Sequence, residues 1–229
     1  VRRAFRVISS PQFFMRIASR TDQATTEEER EKYSALASNL VSTLEAVIST
    51  TEDTLDERAQ QVEKVVKAAA EPDSGEFLVP LLPERIAAMR KTLVGLEPSM
   101  LDEGFLSTLD AWMNKSHQDG MDLMVNILQK VLQMYAGLQI QRARDAEAVV
   151  EGDDDAAAAF DKLLQSDAEE WDAIIAKQVD ATALLEEVQR TTETVVLQLE
   201  AGSMAQRVQA EYLQELMKRI EAARQQKRA

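Results

Sequence analysis

The stretch LDEGFLSTLDAWMNKSHQDGMDLMVNILQKVLQMYA, residues 101–136, decides the fold. Its apolar side chains recur every three or four residues on both sides of Asp119-Gly120, which is the spacing of amphipathic helices. The stretch therefore predicts two helices joined by a turn at Gly120. Because it is also the most apolar and aromatic-rich part of the chain, we expect this hairpin to form the core. The expected core residues are Phe105, Leu109, Trp112, Met113, Met124, Ile127, Leu128, Val131, Leu132, Tyr135 and Leu138.

The rest of the chain has the composition of an all-α protein. It has 229 residues but only seven Gly and five Pro, and helix formers such as Ala, Leu, Glu and Gln dominate it. No stretch alternates apolar and polar residues over the length of a strand. We therefore predict a single helical domain, residues 1–229, built as an irregular bundle of about eight or nine helices.

One of these helices is predicted to be long and to lie near the N-terminus. Thr26 followed by three glutamates is a capping box that opens it, and its apolar stripe continues to Val66. An unbroken helix would be roughly 65 Å long, whereas a compact domain of this size is only about 45 Å across. We expect a continuous or gently kinked helix whose end around Thr51 to Arg58 projects. A break at residues 49–51 is the alternative.

The charge and the residue types of the chain exclude several classes of protein. A net charge of −14 disfavours a nucleic-acid binder, which uses clustered Lys and Arg. With no cysteine, disulfides and thiolate metal ligands are excluded. No apolar run approaches the roughly 20 residues of a membrane span. Because the chain begins with Val1, we expect a further N-terminal segment, either a cleaved targeting peptide or a tail.

Basic residues are concentrated at the two ends of this acidic chain. Residues 1–10 form a basic N-terminal arm with Arg2, Arg3 and Arg6, and Arg16 and Arg20 follow it. Such ends are either solvated termini or an arm that docks on an acidic protein surface or anionic lipid. The C-terminal cluster consists of Lys218, Arg219, Arg224, Lys227 and Arg228.

Two apolar segments could lie either in the core or on the surface of the protein. Ser10-Pro11 predicts a helix start, and the adjacent Phe13 and Phe14 then lie close to the chain end. Residues 71–83 form an apolar, Pro-containing loop that ends in FLVPLLP, residues 77–83. Pro80 and Pro83 forbid a regular helix between them. Either segment could cover the core or serve as an exposed contact surface.

The sequence contains no recognisable catalytic set. His117 is the only histidine, so a di-iron bundle with two Glu-x-x-His motifs is excluded. The phosphate-binding glycine motifs are missing as well. Neighbouring carboxylates such as Glu186 and Glu187 point about 100° apart on a helix and do not converge. We predict a protein that is not an enzyme and that binds no cofactor or metal.

Five sequence segments lie in a fixed order along the chain: FFMRIASRTD (13–22), EEEREKYSALAS (27–38), LDEGFLSTLDAW (101–112), LQKVLQMYA (128–136) and AGSMAQRVQAEYLQ (201–214). Together they resemble a family of small, all-helical chloroplast proteins of plants and green algae that are found with thylakoids. The chain departs from this family at Ala201, where a second glycine is typical, and in the loop of residues 77–83.

This resemblance implies a chloroplast protein that is peripheral to the thylakoid membrane, as an assembly or repair factor of photosystem II. Its partner would be a membrane protein complex, namely the photosystem II core subunits, and not a nucleic acid. The chain would act sterically, by occupying a surface of that complex. The alternative is a stromal module that binds RNA or ribosomes through its basic termini. The predicted partner-binding residues are Arg2, Arg3, Arg6, Phe13, Phe14, Arg16, Phe77, Leu78, Val79, Leu81 and Leu82.

Overall fold

A computed structural model of the chain describes residues 10–146, 154–177 and 180–228. All regular secondary structure in these ranges is helical, and no residue in them lies in a β-strand. The predicted all-α fold class is therefore confirmed. The helices are α1 (Pro11–Asp22), α2 (Glu27–Lys67), α3 (Pro83–Val94), α4 (Glu103–Gln118), α5 (Asp122–Ala146), α6 (Asp154–Gln165), α7 (Ala168–Lys177), α8 (Ala181–Thr194) and α9 (Met204–Arg228).

Two connections also contain helical turns. Pro98–Met100 and Val196–Gln198 form short 3-10 helices. With them, the described ranges contain slightly more helical segments than the eight or nine that we predicted. The difference arises because two connections that we expected to be irregular loops each contain one 3-10 turn, which is a common use of the 3-10 helix.

The chain divides into two compact units, residues 1–57 and residues 58–229. We call them the first unit and the second unit, and the boundary between them falls within α2. That they make up one domain stays a prediction. The basic arm predicted for residues 1–10 lies outside the described residues, apart from Ser10.

In the first unit, both helices begin where the sequence predicts. The Ser10 hydroxyl accepts a hydrogen bond from the Phe13 amide at 3.3 Å, with Pro11 at the first helical position. The Thr26 hydroxyl accepts from the Glu29 amide at 3.2 Å at the start of α2. These caps satisfy amides that have no partner within the helix. The structure describes the side chains of residues 10–46 and 54–57 in this unit, and among them only Ile17 is buried.

The second unit has the predicted hairpin at its core. Asp102 caps α4 by accepting from the Phe105 amide at 3.1 Å, and the connection to α5 passes through Gly120, whose φ is +69°. Glycine adopts this left-handed conformation without steric cost. Phe105 stacks on Tyr135 with ring centroids 5.9 Å apart. The inner residues that solvent does not reach include Phe105, Leu109, Ile127, Leu128 and Val131.

The last helix, α9, completes this core by packing against α4, α5, α7 and α8. Leu213, Leu216 and Ile220 are fully buried on it. The contact between α5 and the end of α6 is unusually close, since a Cβ added at Gly137 would lie 2.5 Å from the Leu164 carbonyl oxygen. Only glycine allows the two backbones to approach to this distance.

Ion pairs with at least one buried member connect distant parts of the second unit. Arg58 is 8% exposed, and its Nε and Nη2 donate to the two carboxylate oxygens of Asp102 at 2.9 and 2.7 Å. Our prediction that the α2 end around Thr51 to Arg58 projects is therefore wrong at Arg58. The bidentate pair, which is the strong geometry for arginine and carboxylate, fixes this position to the start of α4.

A second buried pair joins α5 to α8. The carboxylate of Glu187 is buried and accepts from Arg144 Nη1 at 2.5 Å and from Arg190. Arg144 also donates to the Thr191 hydroxyl at 2.8 Å, and its guanidinium carbon lies 4.6 Å from the centroid of the Phe160 ring. Both carboxylate oxygens of Glu187 thus have a hydrogen-bond partner, which a buried charge requires.

Candidate functional site

The apolar loop, residues 71–83, begins with a hydrogen-bonded turn. The Gly75 amide donates to the Glu71 carbonyl, and the Glu71 amide donates to the Glu76 carbonyl, both at 2.8 Å. Gly75 has a φ of +73°, a conformation that favours glycine. At its other end the loop runs directly into α3, with Pro83 at the first helical position. Both ends of the loop are therefore fixed.

Within the loop, the apolar side chains divide into two groups. Phe77 and Leu81 are half-buried and pack against the core of the second unit. Leu78 and Val79, by contrast, are 41% and 74% exposed. Leu82 is half-buried at the start of α3. The loop thus covers the core with some residues and presents others to solvent, which combines the two interpretations that its sequence allowed.

The loop forms one wall of a cleft with a volume of about 500 Å³. This volume falls within the range of roughly 300 to 1,000 Å³ that is typical of ligand pockets. The lining mixes apolar and polar side chains, and α5 supplies most of it. The lining residues are Val79, Pro80, Leu81, Ile86, Leu123, Asn126, Ile127, Gln129, Lys130, Gln133 and Glu169.

Lys130 is the cationic group of this cleft, and it is fully paired. Its Nζ donates to Glu169 at 2.7 Å and to the buried Asp167 at 2.5 Å. Burial by itself would lower the pKa of Lys130, but the hydrogen bonds to the two carboxylates outweigh burial and the pKa is raised. Lys130 therefore stays protonated at neutral pH and is not a nucleophilic amine.

Gln133 lies between this cleft and a smaller one. The smaller cleft has a volume of about 210 Å³, and Gln129 and Gln133 line both. Trp171 and Tyr212 contribute to its lining. The Nε2 atom of Gln133 is buried without a hydrogen-bond partner. An unpaired buried amide is costly, so this position is one that a bound group could stabilise.

The other predicted contact residues lie on α1 in the first unit. Phe13 and Phe14 are half-buried, and their rings meet edge to face with centroids 5.9 Å apart. Arg16 is exposed, and so is Met15 beside it. This helix therefore presents an apolar and basic surface within its own unit.

The structure brings together only part of the predicted set. Val79 and Leu81 line the same cleft, whereas Phe13, Phe14 and Arg16 belong to the first unit. Arg2, Arg3 and Arg6 lie outside the described residues. The sequence analysis missed the polar row of α5, which has a recognisable signal because its members recur at three- and four-residue spacing beside the apolar stripe. The row consists of Asn126, Gln129, Lys130 and Gln133.

Two further titratable groups, His117 and Tyr135, do not belong to the lining of this cleft. His117 is exposed in the last turn of α4. Burial raises the pKa of Tyr135 to about 12, so its phenol is neutral at physiological pH. Across the three described ranges, no group of three or more His, Cys, Asp or Glu side chains could hold a metal ion.

Comparison of the chain with protein-family models, with curated proteins and with solved structures gave no match. Within the described part of the chain, no helix combines the length and the apolarity that crossing a membrane requires.

Proposed function

We propose that this chain is a non-catalytic factor that docks on a membrane protein complex through its apolar loop. The observation that carries the proposal is the exposure of Leu78 and Val79 on a loop that Phe77 and Leu81 anchor to the core. An anchored loop loses little conformational freedom on binding, and such preorganisation increases affinity. The cleft beside the loop can accept a side chain of the partner.

The sequence resemblance supports the identity of the partner. It favours a chloroplast protein, peripheral to the thylakoid membrane, that takes part in the assembly or repair of photosystem II. In this proposal the photosystem II core subunits are the partner, and the bound chain occupies a surface that another subunit takes later. The mechanism is steric, so it needs neither a cofactor nor a reactive side chain.

The C-terminal basic cluster gives little support to the RNA-binding alternative. The Arg219 guanidinium carbon lies 5.2 Å from the centroid of the Trp171 ring, and Arg219 donates to the Ala168 carbonyl at 2.7 Å. Lys218 and Arg219 both lie near Glu215, at 4.0 and 3.2 Å. The charge of Arg219 is therefore used within the fold and is less available to phosphates.

Purification of the tagged full chain from gently solubilised thylakoid membranes tests the proposal. We expect photosystem II core subunits to co-purify with the chain in near-equal amounts. The variant Leu78→Ser/Val79→Ser should lose them at least tenfold, because it removes the exposed apolar contact and leaves the core intact. Leu197→Ser is the matched control, since Leu197 is also exposed on the second unit.

Salt separates the two possible sources of binding energy. If the arginines near the N-terminus hold the chain on the membrane, about 0.5 M salt should release it, because exposed charges are screened strongly at this concentration. If the loop holds it, the chain should stay bound. Recovery of ribosomal proteins or RNA, or full binding by the loop variant, would contradict the proposal.

A further inference from the structure

Three carboxamide side chains of α5 lack a partner within the protein. Asn126, Gln129 and Gln133 all line the larger cleft beside the apolar loop, and none of them forms a hydrogen bond with another described residue. The Nε2 atom of Gln133 is also buried. A carboxamide has both a donor and an acceptor, so these side chains are complementary to peptide groups.

The three carboxamides have a spacing that suits an extended chain. Asn126 and Gln133 lie about 20° apart around the helix and about 10.5 Å apart along its axis, and Gln129 lies about 6 Å from Gln133. In an extended chain, every second residue faces the same side at a repeat of about 6.6 Å. Gln129 and Gln133 are close to this repeat. A segment of about three extended residues would therefore span all three carboxamides.

The loop that forms the other wall of the cleft offers unpaired main-chain groups. Within the described part of the chain, no hydrogen bond involves an amide or a carbonyl of residues 77–81. A helix satisfies its own main-chain groups, so a bound helix would leave those of the loop unpaired. An extended segment could pair with them, as in binding by strand addition.

The charge of the cleft restricts the side chains that such a segment can carry. Lys130 is paired with both Asp167 and Glu169, so this cluster has one positive and two negative groups. The side chain of Glu169 is 75% exposed. A Lys or Arg of the segment can pair with Glu169, whereas an Asp or Glu would be repelled. Leu81 and Ile86 in the lining can contact apolar side chains.

We propose that the larger cleft binds an extended segment of the partner protein. In this segment apolar residues alternate with polar ones, and at least one of the polar residues is Lys or Arg. The segment lies between the carboxamides of α5 and the backbone of residues 77–81. This inference rests on the proposed function, because it describes the part of the partner that meets the loop.

Binding of synthetic peptides to the full chain tests this proposal. The probe is a labelled pool of peptides about eight residues long, with Val, Leu, Ile or Phe at every second position, Ser or Thr between them and one central Lys. A second pool has Glu instead of the Lys. A third keeps the Lys but is N-methylated at its central residues, which removes main-chain donors and leaves the side chains unchanged.

Fluorescence anisotropy measures the affinity of each pool. We expect the Lys pool to bind at least tenfold more tightly than the N-methylated pool, because the cleft recognises the main chain. It should bind at least threefold more tightly than the Glu pool, because of the charge of Glu169. The variant Glu169→Gln should remove this preference for Lys over Glu.

Substitution of two carboxamides separates binding from folding. Gln129→Met/Gln133→Met keeps similar unbranched side chains but removes their hydrogen-bonding groups. It should weaken binding of the Lys pool at least tenfold. Its melting temperature should not fall, because Gln133 Nε2 has no partner to lose. Gln165→Met/Gln214→Met is the matched control, since these exposed glutamines of the second unit line neither cleft.

Three results would overturn the proposal: no binding of the Lys pool, equal binding of the N-methylated pool, or unchanged binding by Gln129→Met/Gln133→Met. Co-purification from thylakoid membranes separates such a failure from failure of the proposed function. If this variant keeps core subunits that Leu78→Ser/Val79→Ser loses, the loop docks but the cleft holds no segment of the partner. If both variants keep them, the proposed function fails as well.

Discussion

The two units of this chain contain the same kinds of apolar residue but use them differently. In the second unit, Leu106, Leu109 and Val131 are fully buried within a core that α4, α5 and α9 share. In the first unit, Leu36 and Val41 occupy equivalent positions on an amphipathic helix and remain exposed. Helical periodicity alone is therefore not a sign of burial. It marks a helix face that can be buried, and the face is buried only where another helix packs on it.

Charged residues differ between the units in the same way. Glu187 in the second unit is buried between Arg144 and Arg190. Glu28 in the first unit pairs with Lys32 at 2.7 Å, but both side chains are exposed. An exposed ion pair contributes little to stability. Removing one partner of a buried ion pair, in contrast, lowers stability strongly. Matched substitutions in the two units can therefore test the comparison.

The largest difference is expected between the two glutamates. Glu187→Ala leaves two arginines without their buried partner and should lower the free energy of unfolding by about 3 to 5 kcal/mol. Glu28→Ala should lower it by about 0.5 kcal/mol or less. Urea denaturation followed by circular dichroism measures both values. A similar effect for the two variants would mean that the network around Glu187 adds nothing to the fold.

The next largest difference is expected between two leucines on helices. Leu109→Ala creates a cavity in the core and should cost about 2 to 5 kcal/mol. Leu36→Ala removes an exposed side chain and should change stability by about 0.5 kcal/mol or less. The same denaturation experiment applies. A large loss on Leu36→Ala would show that this side chain contributes to a packed core, contrary to its exposure.

Substitution to alanine should have opposite signs at two helical positions. Gly137→Ala would normally stabilise a helix, but its Cβ meets the Leu164 carbonyl, and overpacking of this kind should cost about 1 to 3 kcal/mol. Ser38→Ala, on the exposed surface of α2, should increase stability by a few tenths of a kcal/mol, roughly the difference in propensity. Increased melting temperatures for both variants would exclude the close contact at Gly137.

The smallest expected difference concerns pH. The hydrogen bonds from Arg58 hold the pKa of Asp102 below its usual value, and the Phe105 amide adds to this effect. A carboxyl group with a lowered pKa contributes stability above its unfolded pKa of about 3.9 and loses it as the pH falls further. Asp102→Asn should therefore destabilise most at neutral pH, and its difference from wild type should shrink below about pH 4.

The first unit again supplies the control for this experiment. Glu27 forms a looser pair with Arg30, at 3.6 Å between exposed side chains. Glu27→Gln should therefore change the free energy of unfolding at neutral pH by about 0.5 kcal/mol or less. Urea unfolding at several pH values measures both variants. A flat profile for Asp102→Asn would show that the pair with Arg58 does not favour the ionised carboxylate.

The sequence predicted those parts of the fold that depend on neighbouring residues. The helical spacing from Phe105 to Tyr135 and the turn at Gly120 identify the central hairpin, and Ser10 and Thr26 identify two helix starts. Arg58 could not be placed in this way, because its partner Asp102 is 44 residues away. In the sequence it appears only as one charge in an acidic helix.

The candidate site was predictable only in part for a similar reason. The run from Phe77 to Pro83 is apolar throughout, so nothing local separates Phe77, which packs inward, from Val79, which is exposed. The division depends on the surface of α5 on which the loop lies. The cleft likewise exists only because this loop and the polar row of α5 lie side by side.

The positions of the two tryptophans make intrinsic fluorescence a probe of one of the two units. Trp112 and Trp171 both lie in the second unit. Trp171 is buried, donates from Nε1 to the Leu163 carbonyl at 3.1 Å and meets the Tyr212 ring edge to face. Indole emission therefore reports on the second unit alone. A ligand that enters the smaller cleft beside Trp171 would therefore change this emission.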